Sequence, residues 1–418
     1  MPCDFAAKGR MRLDLDCGFA YPCRDSGGRV SGRLRKALKS RLLGLVLGLI
    51  AAPLSAQGFE TSARSAFIMD HATGMTLFAK NADEPKPPAS MSKLMTLYLL
   101  FEAIRDGRVT RETLFDVSAK AQAIGGSRMF VEAGPQVPVD ALIPGIIVQS
   151  GNDACIVVAE NLAGTEDAFA AQTNRRAAEL GLTQTVMKNS SGWPEAGHVM
   201  STGDIAALSR RIITEFPEFY AYFAETEFTW NDITQQNRNP LLRLGLGADG
   251  LKTGHTNEAG YGLAGSAVQN GQRIVFVASG FESDGERRAG TEAMVKWAFG
   301  AVDTVKFFDA GAVAAEVDVW LGEAETVPLV APDLAQMLVL REDRDGIEAR
   351  IVFSSPVEAP VAAGQELGAL IVEVPGKEPA RFPLVAGRDV ARGGFATRLG
   401  AAARITRDRA IGLITRPE

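Results

Sequence analysis

Pro88-Ala89-Ser90-Met91-Ser92-Lys93-Leu94-Met95-Thr96 is the stretch on which the reading of this chain turns. A proline-rich segment, 83–88, precedes it, and a helical pattern follows, with apolar residues at Leu94, Leu97, Tyr98, Phe101 and Ile104 before Gly107. Ser90 at the helix start and Lys93 one turn on share a face, so helix geometry alone brings an amine beside a hydroxyl. A serine hydroxyl becomes a useful nucleophile only when a base within hydrogen-bond reach takes its proton. Lys93 can serve if burial and neighbouring positive charge depress its pKa enough to leave it neutral. The unpaired N–H groups at the helix start favour a developing oxyanion. Taken singly, Ser90 is an ordinary N-cap and Lys93 a solvated helix residue.

Two further short motifs follow in order. Ser150-Gly151-Asn152 falls on a loop between helical patterns at 141–148 and 154–162. Lys252-Thr253-Gly254 falls on a strand ahead of a hairpin, 260–268 and 273–279, hinged on Asn270-Gly271. In such a setting the Ser150 hydroxyl can relay a proton to a leaving group, and the Asn152 amide can hold a substrate peptide group. Lys252 offers positive charge to a carboxylate. Gly254 leaves room for close backbone approach, and the His255 N–H can supply an oxyanion donor. Each motif alone is weak, and their joint occurrence in this order carries the signal.

Working outward, strands are expected at 65–70 and 75–80, helices at 167–180 and 202–214, and a closing helix at 291–299. Strands at both ends with helices between them give an α+β domain, one antiparallel sheet covered by helices. From residue 305 the texture changes to short Val/Ala/Leu segments at 314–321, 337–341, 348–353 and 370–374, as in a small all-β domain. The expected division is a leader at 1–56, a main domain at 57–300, a β-rich domain at 301–392 and a tail at 393–418.

The chain of 418 residues has a formal charge of −6, but its first 56 residues carry ten Lys/Arg against four Asp, leaving about −12 for the rest. An acidic body argues against nucleic acid as the partner. A basic cluster at 33–41, an apolar run at 42–52 and the small residues up to Ala56 make a secretory signal peptide. Residues 1–30 do not fit such a leader and point to a start codon placed too far upstream. Three cysteines, Cys3, Cys17 and Cys23, fall there, which leaves Cys155 as a buried, inert thiol. Beyond Arg392 a stripe of Phe395, Leu399, Ala402, Thr406, Ala410 and Leu413 beside several arginines outlines a basic amphipathic helix suited to a membrane surface.

The longer stretches around the three motifs resemble the low-molecular-mass penicillin-binding proteins that act as D-alanyl-D-alanine carboxypeptidases. They are the nine residues quoted first, Gln149-Ser150-Gly151-Asn152-Asp153-Ala154-Cys155, and Asp249-Gly250-Leu251-Lys252-Thr253-Gly254-His255-Thr256. The likeness runs over about 63–300 and more loosely to about 393. It implies a β-lactamase/transpeptidase-like domain, with a helical subdomain beside the helix-covered sheet, followed by the all-β domain. It implies a periplasmic enzyme attached to the outer face of the cytoplasmic membrane. Its substrates would be peptidoglycan stem peptides, from which it trims the terminal D-alanine without a metal or other cofactor.

Carried over by motif, Ser90 is acylated, Lys93 is the base, Ser150 relays the proton and Asn152 positions substrate. Lys252 and Thr253 bind the carboxylate or help the relay, and Gly254 and His255 border the oxyanion site. An arginine near the closing helix assists with the carboxylate, best matched by Arg287, with Arg288 adjacent. β-Lactams would acylate Ser90 and leave a slowly hydrolysed ester. Residues 189–198 are similar to the family's loop opposite the active site, although Trp193 is unusual there and bears on which substrates enter.

Three other readings compete. A β-lactamase would use a loop carboxylate such as Glu195 to activate the deacylating water, and a non-catalytic scaffold would only bind peptidoglycan. A zinc carboxypeptidase could start from His255 and Glu258 but lacks a third ligand downstream.

Overall fold

The computed structural model describes residues 7–12 and 59–395. Most of the leader, with Cys3, Cys17 and Cys23, lies outside the described residues, as do residues 396–418 of the expected amphipathic tail. Among the described residues no helix is long and apolar enough to cross a membrane.

The central sheet has five strands in the order Thr76–Lys80, Ser65–Asp70, Gln272–Phe281, Gly260–Gln269 and Ala248–Thr256, antiparallel throughout. Strands from the two ends of the domain thus meet along Ser65–Asp70 and Gln272–Phe281, as the sequence pattern predicts. The run Ile274-Val275-Phe276-Val277-Ala278 is fully buried. Val275 and Val277 join the helical core, whereas Ile274, Phe276 and Ala278 pack with Met294, Val295 and Ala298 of the helix Asp284–Ala301. A strand covered on both faces reads as a continuous apolar run rather than an alternation.

The helix Lys93–Arg105 is buried at every position from Lys93 to Ala103. It is therefore a central helix, not the one-sided amphipathic helix its spacing suggests. Around it pack Val139–Ile147, Asn152–Ala163, Glu166–Glu179 and Thr202–Glu215. Its expected first turn is a separate 3-10 turn, Ala89–Ser92, in which Ser92 Oγ donates to Ala89 O at 2.9 Å. The closing helix also begins well before residue 291, capped by Ser283, whose Oγ accepts from Glu286 N at 3.1 Å.

Among the described residues from 302 to 394 the regular elements are all strands apart from one 3-10 turn. Its sheet runs in the order Ala7–Arg12, Glu348–Ser355, Glu366–Glu373, Ala380–Ala386, Thr326–Val330, Val313–Trp320 and Val357–Glu358. A separate ribbon pairs Val302–Phe308 with Ala335–Leu340. Alternate residues of Ala335–Leu340 enter two cores: Met337 and Val339 the C-terminal one, Leu338 and Leu340 the one beneath Asp284–Ala301. Met75, from the turn between the first two strands of the central sheet, reaches into the C-terminal core in return.

Candidate active site

The three motifs, far apart in sequence, meet at the edge strand Ala248–Thr256. That strand passes so close to the Ala89–Ser92 turn that a Cβ on Gly254 would lie 2.9 Å from Pro88 O and 3.2 Å from Met91 N. Only glycine admits this approach. Ser150 sits between two helices at φ +59°, and Asn152 opens the helix Asn152–Ala163.

Lys93 is completely buried, and its Nζ lies 2.7 Å from Ser90 Oγ, 2.8 Å from Asn152 Oδ1 and 2.5 Å from Ser191 O. Burial, aided by the Arg238 charge, pushes Lys93 down to about 8. An amine among three acceptors has a definite meaning in each protonation state. The ammonium gives a proton to all three. The neutral amine gives one each to Asn152 and Ser191 and turns its lone pair to the Ser90 O–H, the arrangement general-base catalysis requires. Asn152, expected to hold a substrate peptide, is occupied at both ends, since its Nδ2 donates to Gly125 O at 2.9 Å. Cys155 lies fully buried behind Lys93, and burial pushes its thiol up to about 12, so it is inert as expected.

A cleft of about 480 Å³ opens over Ser90, and Ser127, Ser150, Arg238, Thr253, Gly254, His255, Tyr261 and Arg287 are among its lining residues. One wall is a stack: His255 lies on Tyr261 with ring centroids 3.9 Å apart, and the Arg287 guanidinium sits 5.8 Å over the Tyr261 ring. Arg287 lines the cleft from the first turn of Asp284–Ala301, while Arg288 is exposed and is not among its lining residues. Arg287 is paired with Asp284 and donates to Arg238 O at 3.1 Å.

Lys252 is the residue expected to offer positive charge to a substrate carboxylate. It is 1 % exposed, its Nζ donates to Thr253 O at 3.1 Å, and burial together with the nearby Lys93 and Arg238 charges holds its pKa well below the ordinary range. The exposed cation at the cleft is Arg238, which the motif search does not reach. Its Nη1 donates to Ser127 Oγ at 2.7 Å, and among the described residues it forms no ion pair. Asparagines fix it from both sides: Asn237 Nδ2 donates to Glu225 O and Asn239 Nδ2 to Gly250 O, each at 2.8 Å. An arginine between two turn-forming asparagines is the sequence signal that could have found it.

Trp193, 43 % exposed, lies against Gly126, its ring 2.8 Å from where a Cβ on that glycine would lie, and is not among the residues that line the cleft over Ser90. Among the described residues no group of three His, Cys, Asp or Glu stands together to hold a metal ion.

Comparison with known proteins agrees with this geometry. Residues 52–282 match the family model for D-alanyl-D-alanine carboxypeptidase, and residues 303–392 match that for the penicillin-binding protein 5 C-terminal domain. The chain is 33 % identical over 379 residues to the D-alanyl-D-alanine carboxypeptidase DacF of Bacillus subtilis, covering 88 % of this chain and 97 % of that one. Penicillin-binding protein 5 from Haemophilus influenzae superposes with a TM-score of 0.69 at 30 % identity, over 80 % of this chain and 99 % of that one. Penicillin-binding protein D2 from Listeria monocytogenes, in an ampicillin-bound form, superposes with a TM-score of 0.53 at 28 % identity, over 58 % of this chain and 99 % of that one. With both segments matched and the helix-covered sheet followed by an all-β part, the chain belongs to the D-alanyl-D-alanine carboxypeptidase family of low-molecular-mass penicillin-binding proteins.

Proposed function

We propose that the protein releases the terminal D-alanine of peptidoglycan stem peptides through an ester on Ser90. The observation that carries this reading is the fully buried Lys93 amine 2.7 Å from the Ser90 hydroxyl. Neutral Lys93 takes the Ser90 proton as Oγ attacks the carbonyl carbon of the penultimate residue. The peptide C–N bond then breaks, and the departing D-alanine nitrogen receives a proton through Ser150 and Lys93. Water afterwards hydrolyses the ester, regenerating the hydroxyl and freeing the shortened peptide as a carboxylate. Gly254 lets the strand edge and the N–H of His255 border the oxyanion. A β-lactam follows the same first step and stays attached as an ester; the Listeria protein has been solved in an ampicillin-bound form.

The substrate carboxylate is assigned to Arg238 and Arg287 at the open face, with Thr253 beside them and the buried Lys252 close to the charges of Arg238 and Arg287. A peptide ending in D-Ala-D-Ala should be cut about ten- to a hundredfold faster as the free acid than as the amide, the range of a charge-assisted hydrogen bond. Arg238→Gln should narrow that ratio, read as D-alanine release. Equal cutting of acid and amide would remove the carboxylate assignment, and no D-alanine from either would remove the activity.

The signal-like order of segments at 33–56 supports export to the periplasm, and the arginine-rich segment 393–418 supports peripheral attachment to the outer face of the cytoplasmic membrane. Deleting 393–418 should move the protein from the sedimenting membrane fraction to the soluble one with peptide cleavage unchanged. A truncated protein that still sediments would refute the attachment.

A further inference from the structure

The loop after Lys188 has its backbone polar groups sorted by direction. The N–H of Ser190 donates to Glu166 Oε1 at 3.1 Å, and those of Ser191, Gly192 and Trp193 converge on one atom, Asn189 Oδ1, at 3.2, 2.8 and 3.1 Å. Asn189 Nδ2 donates to Trp193 O and to Glu195 Oε2, both at 3.0 Å. Three N–H donors on one atom fix which end of the amide is oxygen, because an NH2 group there would face donors with donors. The carbonyls of the same stretch serve the helix Lys93–Arg105. Ser190 O accepts from Thr96 Oγ1 at 2.6 Å, and Ser191 O accepts from Lys93 Nζ at 2.5 Å.

The consequence lies in a single peptide unit. Ser191 C=O and Gly192 N–H belong to one rigid plane. Asn189 Oδ1 holds that plane by its N–H and leaves its oxygen to Lys93. Gly192 has φ +77°, and a Cβ there would fall 2.0 Å from Ala89 O, so the plane has little freedom to turn otherwise. Asn189 itself is 7 % exposed.

We infer that Asn189 is a positioning residue for Lys93, acting through the Ser191–Gly192 peptide plane to aim the amine's lone pair at Ser90. This rests on the acyl-enzyme reading of Ser90 and Lys93. A neutral amine rotates about its Cε–Nζ bond, and its lone pair faces Ser90 only while two acceptors hold its two N–H groups. Asn152 is one and Ser191 O the other. The hydrogen bond to Asn189 also polarises the shared peptide, making Ser191 O a stronger acceptor.

The test measures the second-order rate constant for acylation by a fluorescent penicillin, as a function of pH, for the wild type, Asn189→Ala and Asn189→Asp. Asn189→Ala should reach full labelling at long times but acylate about ten- to a hundredfold more slowly, as expected for lost orientation of a general base. Asn189→Asp keeps the acceptor but turns its second oxygen toward Trp193 O and Glu195 Oε2, so it is read in a Glu195→Gln background; there it should recover to within about fivefold at its plateau, with its pH limb moved upward because the new carboxylate favours the ammonium form of Lys93. A structural role alone would lower the melting temperature and leave the acylation rate of the folded protein unchanged. Asn189→Ala acylating at the wild-type rate with the wild-type pH limb would overturn the inference. So would Asn189→Asp slowed as much as Asn189→Ala. Should the alanine variant fail to fold, Asn189→Gln, which displaces the acceptor from Gly192 N, overturns it by acylating at the wild-type rate. A wild-type protein that takes no label would instead defeat the acyl-enzyme reading.

Discussion

Ser90→Ala should fold normally yet retain no fluorescent penicillin and release D-alanine about 10⁴-fold more slowly or worse, the cost of deleting a nucleophile whose partners act only through it. The hydroxyl is half-buried and, among the described residues, its hydrogen bond is to Lys93, so its loss opens no cavity of consequence and leaves Lys93 held by Asn152 and Ser191. A change confined to chemistry should therefore leave the melting temperature nearly unmoved. Mass spectrometry of the intact protein gives the readout: one long-lived adduct on the wild type, none on the variant. An adduct on Ser90→Ala would place the nucleophile elsewhere. Prompt loss of the wild-type adduct would mark a β-lactamase.

Acylation should rise with pH through about 8 and level off above it, because Lys93 is displaced from its ordinary 10.5 to about 8, chiefly by burial. The sign follows from which form is active. Below that value the amine is protonated, its lone pair is gone, and the rate falls about tenfold per pH unit. The plateau therefore begins well below the pH at which a solvated lysine would permit one. Lys93→Arg keeps the positive charge but cannot give up its proton, so it should lose the pH limb and about 10²–10⁴ of the acylation rate. A rate flat from acid to alkaline pH in the wild type, or an active Lys93→Arg, would exclude Lys93 as the base.

The chemistry was legible in the sequence wherever it is local. Ser90 and Lys93 are separated by one helical turn, so their meeting is decided by spacing, and the hairpin at Asn270-Gly271 fixes the neighbours of the strand bearing Lys252. What spacing cannot say is how deep a residue lies. The apolar positions in Lys93–Arg105 imply one wet face, yet other elements cover that face too, and the lysines at 93 and 252 are sealed with it. Depth is decided by elements remote in sequence. For the same reason Arg238 escaped notice: its place depends on Asn239 reaching Gly250, a tertiary contact without a pattern. The start of Asp284–Ala301 was hidden by a run of charges and glycine that lowers helix propensity, and a serine cap restores it.

One strand of the ribbon after residue 301 gives the molecule an unusual seam. Because Ala335–Leu340 sends Met337 and Val339 one way and Leu338 and Leu340 the other, excising 303–392 would bare the underside of Asp284–Ala301, whose first turn presents Arg287 to the cleft. The β-rich part is thus a buttress rather than a pendant: strain on it is borne by the same helix whose Arg287 lines the cleft.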